Sequence, residues 1–162
     1  MFNNLNSLIM ADVAKYTTNS DIELGQMLLY LDGKLFAFST SCELAINTNM
    51  IDTSNQLDGS WESSVAGKKS FTVNCNSLVT NKADVMTADG AIKKQIAGTA
   101  LTFKFGKAII TENADGSVSV TEPTTGWTGK VNITSSTLTS ESGNLCKYQC
   151  QMQGAGALVA IS

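Results

Sequence analysis

A strict alternation of apolar and polar side chains near the C-terminus constrains the fold of this chain more than any other feature. The predicted strand covers residues 144–153, and from residue 146 onward its apolar positions are Cys146, Tyr148, Cys150 and Met152, whereas its polar positions are Lys147, Gln149, Gln151 and Gln153. Successive side chains of a β-strand point to opposite faces of its sheet, so the pattern predicts a strand that is buried on one face. The other face carries three amides and one lysine, and it faces bulk water, a ligand or a lumen.

The preceding stretch, residues 130–139, alternates in the same way and predicts the strand that pairs with it. Val131 and Ile133 share its apolar face. A polar turn that contains a glycine joins the two strands. After the second strand the chain is expected to leave the sheet as a small-residue, apolar tail over residues 154–161.

An Asp-Gly pair near the start of the chain marks the first hairpin. Asp32 and Gly33 stand between apolar runs over residues 24–31 and 34–40. This dipeptide fits a type I′ turn, which needs positive φ angles at both of its central residues. The sequence therefore predicts two antiparallel strands here.

Two further alternating strands are predicted over residues 41–49 and 70–79, and a long loop over residues 50–69 separates them. Their predicted inward side chains are Cys42, Leu44, Ile46, Phe71, Val73 and Cys75. A loop of this length inside a compact domain is uncommon and is often functional. Trp61 within the loop is predicted either to cover the core as a lid or, as the favoured interpretation, to anchor an interface.

A single helix is predicted over residues 81–98. Asn81 is suited to cap its start and Gly98 to end it, whereas Gly90 is expected to divide it into two short pieces. Its apolar stripe is predicted at Val85, Ile92 and Ile96.

The segment between this helix and the C-terminal strands is predicted to be β-structure as well. Residues 100–106 and 108–111 have the composition of strands. Residues 112–128, with two glycines and the single proline, predict an exposed hairpin region with a short strand at 117–121.

Residues 1–22 carry scattered apolar side chains among Asn, Ser and Thr, and two interpretations stay open. They form either a weakly ordered leader or an arm that docks on a neighbouring subunit. Residues 23–162 are expected to form a single domain of ordinary size. The N-terminus lacks the pattern of a signal peptide, and no stretch is long enough to span a bilayer, so we expect folding in the cytoplasm.

The residue types that carry most enzyme chemistry are scarce in this sequence. It contains no histidine, all 11 basic residues are lysines, and the net charge at pH 7 is −3. Without clustered basic residues, the chain is not expected to bind nucleic acid by neutralising phosphates. No nucleophile elbow, phosphate-binding loop or metal-binding motif occurs, so we expect no enzyme, no cofactor and no metal site. Free thiols in the apolar core are expected at Cys42, Cys75, Cys146 and Cys150.

Several segments resemble, in their order and spacing, the major tail tube proteins of long-tailed bacteriophages. The matching segments are residues 29–34, 41–46, 51–54, 61–71, 99–105 and 148–158. The resemblance implies a mainly β fold, an antiparallel β-sandwich or half-barrel with one flanking α-helix and long loops. It also implies hexameric rings that stack into a hollow tube, in which the inner strands of all subunits join into one barrel.

The resemblance further implies roles for particular side chains and partners. The implied lumen face consists of Glu43, Asn47, Asn49, Thr72, Asn74, Asn76, Lys147, Gln149, Gln151 and Gln153. The implied contacts between subunits are Phe2, Leu5, Leu8, Ile51, Leu57, Trp61, Leu158 and Ile161. The implied partners are further copies of the chain, a tape-measure protein, tail-tip and terminator proteins, and double-stranded DNA that passes through the lumen of a virion tail. Lys147 would attract DNA, so either Glu43 lies near enough to neutralise it or this face points outward.

Two other functions stay open on the sequence alone. The inner tube protein of a contractile injection system is similar in fold to the tail tube proteins. A secreted carbohydrate-binding β-sandwich would require an export signal and a cluster of exposed aromatic residues, and neither is visible in the sequence.

Overall fold

The computed structural model describes residues 27–36 and 38–161, which form ten strands and one helix. In chain order the elements are β1 (Met27–Leu31), β2 (Lys34–Leu35), β3 (Ser39–Asp52), β4 (Ser64–Leu78), α1 (Ala88–Ala97), β5 (Leu101–Lys107), β6 (Ile109–Glu112), β7 (Val118–Thr121), β8 (Gly126–Thr139), β9 (Lys147–Gly154) and β10 (Val159–Ile161). The predicted arm over residues 1–22 lies outside the described residues.

Most strands belong to a single antiparallel sheet with the order β2-β1-β5-β8-β9-β4-β3. The first half of β8 pairs with β5 and its second half pairs with β9. β10 continues the line of β9 after an interruption at residues 155–158, and it also pairs with β8. β6 and β7 form a separate two-stranded hairpin. The predicted mainly β, antiparallel fold with one flanking helix is confirmed.

The sheet curls so that its two halves face each other across one apolar core. Phe71 on β4 and Phe103 on β5 lie on strands that β8 and β9 separate, yet their ring centroids are 5.6 Å apart. Phe36 and Tyr148 make a similar contact at 6.0 Å. Helix α1 packs against β8 and adds two buried alanines to the same core. This curvature produces an open half-barrel.

The first hairpin forms where it was predicted, but its second strand is short. Asp32 and Gly33 have φ angles of 50° and 77°, as the type I′ turn requires. The predicted strand over residues 34–40 is wrong after two residues, because the chain turns again at Phe38, which has a φ of 55°. Ser39 already belongs to β3.

The long loop predicted over residues 50–69 is also wrong at both of its ends. β3 extends to Asp52 and β4 begins at Ser64, so the loop itself covers only residues 53–63. Alternation fails as a signal here because both faces of these strand ends are exposed, and an exposed face needs no apolar residues.

Helix α1 begins later than predicted and is not divided. Thr87, rather than Asn81, caps its start, because the Thr87 hydroxyl accepts a hydrogen bond from the Gly90 backbone N–H at 3.1 Å. Gly90 therefore lies in the first turn, and Gly98 ends the helix as predicted, with a φ of 67°. The predicted apolar stripe is wrong: of Val85, Ile92 and Ile96 only Ile92 packs against the core, beside the buried Ala88 and Ala91. Among the described residues, no helix has the length and hydropathy needed to cross a membrane.

β9 has the two faces that its sequence predicts, although it begins three residues later. Tyr148, Cys150 and Met152 are buried. Cys146 precedes the strand and is exposed, so its predicted place in the core is wrong. The apolar tail leaves the sheet only over residues 155–158, because its last residues return to the sheet as β10.

Replacing Gly154 with alanine is expected to destabilise the fold, because a Cβ atom at this position would collide with the ring of Phe71. That ring is buried and packs against Phe103, so it has little room to move. Overpacking of this kind costs about 1–3 kcal/mol, which chemical denaturation of G154A and of the wild-type protein would measure. In an F71L background the same alanine should cost much less, and an equal cost in both backgrounds would contradict the steric explanation.

Candidate assembly surfaces

One face of four neighbouring strands forms a continuous polar surface, called the polar face below. Its strands are β3, β4, β9 and the second half of β8. The cross-strand register aligns its side chains in three rows: Ser41, Asn76, Gln149 and Thr137; then Glu43, Asn74, Gln151 and Ser135; then Ala45, Thr72, Gln153 and Asn132. These side chains are exposed or half-buried, whereas the opposite face of the same strands holds the core.

The structure brings together seven of the ten predicted lumen residues in these three rows. The other three lie at the margins. Asn47 is opposite Ser70, beyond the last pairing of β4 with β9, and Asn49 follows the register shift after Thr48. Lys147 lies at the opposite end of the polar face, next to Leu78.

The polar face is nearly free of charge. Glu43 is the one ionisable side chain in the three rows, and its neighbour across β4 is Asn74. Lys147 stands four residues from Gln151, which is roughly 13 Å along β9, and a whole strand separates β9 from β3. The expectation that Glu43 neutralises Lys147 within the chain is therefore wrong.

The buried side of β9 fixes the orientation of the polar face. The Tyr148 hydroxyl and the Ser136 hydroxyl on β8 form a hydrogen bond at 2.8 Å. Burial raises the pKa of Tyr148 above its ordinary value, so the phenol stays neutral. A register shift between Ile133 and Ser135 places this serine on the core side of β8. Because β9 is thus tied to β8, its glutamines point consistently outward.

The ends of β3 and β4 project beyond the sheet as a two-stranded hairpin, residues 48–69, called the hairpin arm below. β9 pairs with β4 only from Thr72 onward, so the strands of the arm pair only with each other among the described residues. Its exposed apolar side chains are Met50, Ile51, Leu57, Trp61 and Val65. Trp61 is 83% exposed and Leu57 is 95% exposed. Exposed apolar surface that is grouped on one element is typical of an interaction site.

The loop at the tip of the arm is ordered by its own hydrogen bonds rather than by the core. The Asp58 carboxylate accepts hydrogen bonds from the Ser63 hydroxyl at 2.6 Å and from the Asn55 backbone N–H at 2.9 Å. The bond from Ser63 is the main reason why the pKa of Asp58 lies below its ordinary value. The Thr53 N–H donates to the Ser63 carbonyl and closes the base of the loop. This network holds the loop while Trp61 remains exposed.

Two strand edges beside the polar face have no partner among the described strands. β3 is the outer strand of the sheet, and its 14 residues include no lysine, arginine or proline. The second half of β8 pairs with β9 on one side, whereas β5 reaches only as far as Val131 on the other. Monomeric proteins usually protect such edges with charges, proline or bulges. The free edge of β3 lacks charge and proline along most of its length.

The residues predicted to contact other subunits fall into three groups. Ile51, Leu57 and Trp61 are exposed on the hairpin arm. Leu158 packs partly against the core of its own chain, and Ile161 is half-buried on β10. The last group, Phe2, Leu5 and Leu8, lies outside the described residues.

Three exposed apolar residues on the hairpin arm or close to it were missed by the sequence reasoning. Met50 and Val65 were hidden by the predicted loop, although Val65 lies directly opposite Ile51 on the arm. Ile46 was predicted to point into the core but is 53% exposed, whereas Phe71, directly opposite it on β4, is buried. Among the described residues, no group of three or more His, Cys, Asp or Glu side chains is placed to hold a metal ion.

Comparison with solved structures shows that chains in phage-like tails and in an injection system have a fold similar to that of this chain. A chain in the virion of a native gene transfer agent particle superimposes with a TM-score of 0.67 at 20% identity, over 87% of this chain and 100% of that one. A chain in the tail of an empty gene transfer agent particle with C6 symmetry gives 0.65 at 18% identity, with the same coverage.

Two further structures extend the comparison to other tubes. The SPP1 tail tube gives a TM-score of 0.58 at 10% identity, over 87% of this chain and 80% of that one. A chain in the sheath-tube complex of an extracellular contractile injection system gives 0.55 at 13% identity, over 90% and 98%. No family model and no curated protein matches the sequence. The predicted resemblance is therefore confirmed at the level of the fold.

Substitutions on the two faces of β9 are expected to have very different effects on stability. Met152→Gln would place an amide among apolar side chains, because Met152 is 1% exposed, and it should cost roughly 2–4 kcal/mol. Gln151→Ala, one residue away on the polar face, should change stability by less than about 0.5 kcal/mol. Urea unfolding of both variants would measure the difference. Similar losses in the two variants would mean that the polar face is not a free surface of the monomer.

Proposed function

We propose that this protein is the major tail tube subunit of a phage-like particle, a structural virion protein that self-assembles into stacked hexameric rings. The tube would conduct DNA from the particle into the host cell. The observation that carries the proposal is that the hairpin of β3 and β4 combines a free strand edge without lysine, arginine or proline, an exposed apolar arm and part of a nearly uncharged polar face. The fold shared with tail tube structures supports the same conclusion.

The two free edges beside the polar face account for ring formation. In the proposed ring, the free edge of β3 pairs with the second half of β8 in the next copy. Each subunit then adds four strands to a common sheet, and six copies close a barrel of about 24 strands. With strands about 4.8 Å apart and tilted by about 40°, such a barrel measures roughly 48 Å between backbone walls. That width accommodates a DNA duplex.

The polar face is proposed to line the lumen. A DNA duplex carries about one negative charge per 1.7 Å, so a wall of clustered lysine or arginine would bind it tightly. The three rows of the polar face contain amides and hydroxyls and no basic group. Such a wall stays hydrated and lets a polyanion pass. Lys147 is the exception, and it would form one narrow ring of positive charge at the end of the face.

The hairpin arm is proposed to contact the neighbouring subunit or the next ring. Ile51 and Val65 face each other across the arm, and Trp61 stands near its tip. Tryptophan at an interface often contributes a large share of the binding energy, because its big apolar surface leaves water on contact. The arm would therefore join subunits, while the edges set their order around the ring.

The proposed tube also has partners in its lumen and at its two ends. The lumen would hold a tape-measure protein before DNA enters it, and the ends of the tube would meet tail-tip and terminator proteins. Assembly would take place in the host cytoplasm, and the finished subunit would reside in the virion tail. The role is structural rather than enzymatic.

A second candidate function is the inner tube of a contractile injection system. The superposition on the sheath-tube complex, with a TM-score of 0.55, favours it as a specific alternative. Both functions use the same ring and the same lumen, and they differ in whether a contractile sheath surrounds the tube. A gene for a sheath protein next to this one would support the alternative. The shared fold favours either tube function over a carbohydrate-binding module.

Purified full-length protein is expected to form rings or tubes of uniform diameter, because the free strand edges pair between copies. Electron microscopy across a concentration series, with and without a tail-tip nucleator, would show them. The averaged map should place Gln149 and Gln151 on the inner wall. Monomers at every concentration would contradict the proposal, and a map with helix α1 on the inner wall would contradict the assignment of the lumen face.

Trp61→Ala is expected to weaken assembly at least tenfold in critical concentration while leaving the melting temperature of the monomer almost unchanged, because the side chain is 83% exposed. Sedimentation would measure assembly, and thermal unfolding would measure the fold. Leu145→Ala is the matched control, since Leu145 is 70% exposed but lies outside the arm, and it should assemble normally. A W61A variant that melts early yet still polymerises would place Trp61 in the fold instead of an interface.

A further inference from the structure

Three of the four cysteines lie in one row across three neighbouring strands. Cys42 on β3 is directly opposite Cys75 on β4, which in turn is directly opposite Cys150 on β9. The sulfur atoms of Cys42 and Cys75 are 2.7 Å apart, and both thiols are free. The assembly surfaces described above do not use this row, because it faces the core side of the sheet.

The backbone at Cys42 and Cys75 suits a covalent bond between the two sulfur atoms. Directly opposite residues in antiparallel strands have Cα atoms about 4.5–5.5 Å apart, and disulfides span Cα distances of about 4.4–6.8 Å. The register of β3 and β4 is regular from Ser41 to Thr48. A bond here would therefore require little movement of either strand.

The accessibility of the three thiols selects one pair among the two that the register allows. Cys75 is 1% exposed and Cys150 is 0% exposed, whereas Cys42 on the outer strand is half-buried. An oxidant from solution can therefore reach only Cys42 within the row. Cys75 is the cysteine opposite it, so Cys42 and Cys75 form the pair that can react.

The contact between the two thiols also prepares Cys42 to react first. The neighbouring Cys75 thiol lowers the pKa of Cys42 below the ordinary thiol value, whereas the contact with Cys42 and burial raise the pKa of Cys75. The thiolate is the reactive form of cysteine. Cys42 is thus both the accessible and the more easily ionised member of the pair.

We propose that Cys42 and Cys75 are an oxidisable cross-strand dithiol, which a small-molecule disulfide such as oxidised glutathione converts into an intramolecular disulfide. The Cys42 thiolate attacks one sulfur of the small disulfide and releases one small thiolate. Cys75 then attacks the Cys42 sulfur of the mixed disulfide, and its proton passes to the second small thiolate as that group leaves. The two protein thiols are oxidised, and one small disulfide is reduced to two thiols.

The bond would clamp the outer strand of the sheet to its neighbour. β3 has a strand partner on one side only among the described residues, so its hydrogen bonds to β4 and the packing of Cys42 and Leu44 against the core hold it in place. Under the proposed function, on which this step rests, β3 is also the edge that joins the next subunit. The thiols would remain reduced during assembly in the cytoplasm, and the clamp would form once the particle reaches an oxidising exterior.

Peptide mapping can identify the bond without ambiguity, because cleavage after lysine puts each cysteine in a separate peptide. Residues 35–68, 70–82, 131–147 and 148–162 contain Cys42, Cys75, Cys146 and Cys150 respectively. Reduced full-length protein is exposed to oxidised glutathione, its free thiols are alkylated, and it is digested without reductant. Mass spectrometry is expected to show 35–68 linked to 70–82 and Cys150 alkylated, while the exposed Cys146 carries either the alkyl group or one glutathione. A link between 70–82 and 148–162, or alkylation of all four cysteines, would overturn the proposal.

Matched variants and a melting experiment separate the clamp from side reactions. Cys146→Ser should keep the linked pair, whereas Cys42→Ser should abolish it. The oxidised wild-type protein should melt roughly 5–10 °C above its reduced form and should return to the lower value with reductant. This comparison needs no variant, so poor folding of C42S leaves it intact, and equal melting of the two forms would contradict the clamp. Loss of ring assembly with an intact Cys42–Cys75 link would count against the tube function alone.

Discussion

The pairing register of β9 with its two neighbours is the constraint on which the rest of the structure depends. β9 lies between β8 and β4, and it places Met152 in the core and Gln151 outside. Because side chains alternate along a strand, a slip of one residue would exchange these two faces completely. Such a slip would bury glutamines without partners, which costs far more than any regained pairing. Burial of the apolar face thus fixes the register, and the register determines which side chains lie on the polar face.

The hairpin arm follows a different physical rule from the sheet that carries it. Its strands bury neither face, so pairing between β3 and β4 and the hydrogen bonds around Asp58 must hold it. Isolated two-stranded hairpins are marginal in water, but this one is anchored in a sheet where β9 supports β4. The anchoring lets the protein present apolar side chains far from its core. Apolar residues retained at such positions are best explained by contacts that form after folding.

The sequence predicted the strands that have one buried and one exposed face, and it missed the strand segments that are exposed on both faces. Alternation located β9 and the paired parts of β3, β4 and β8, and with them most of the polar face. It failed for the hairpin arm, where both faces are exposed, and for Cys146, which continues the pattern although the strand has not yet begun. Helix α1 was misplaced because it buries small alanines, which a search for large apolar residues overlooks. The contact between Cys42 and Cys75 could not be predicted, because it depends on the pairing register of β3 with β4, and the pattern within one strand does not determine that register.

The three assembly surfaces meet on the hairpin of β3 and β4, which carries the free edge and the arm and from which the polar face continues onto β9 and β8. The free edge of β3 offers main-chain hydrogen bonds, which have direction but little selectivity. The arm offers apolar area, which has affinity but little direction. Because the edge and the arm belong to the same two strands, the edge adds direction and the arm adds affinity. A second copy can therefore dock in few orientations. The polar face of the same strands gains nothing from burial, since its amides and hydroxyls are already hydrated. Association through the edge and the arm would therefore leave that face in contact with water, as the proposed lumen wall requires.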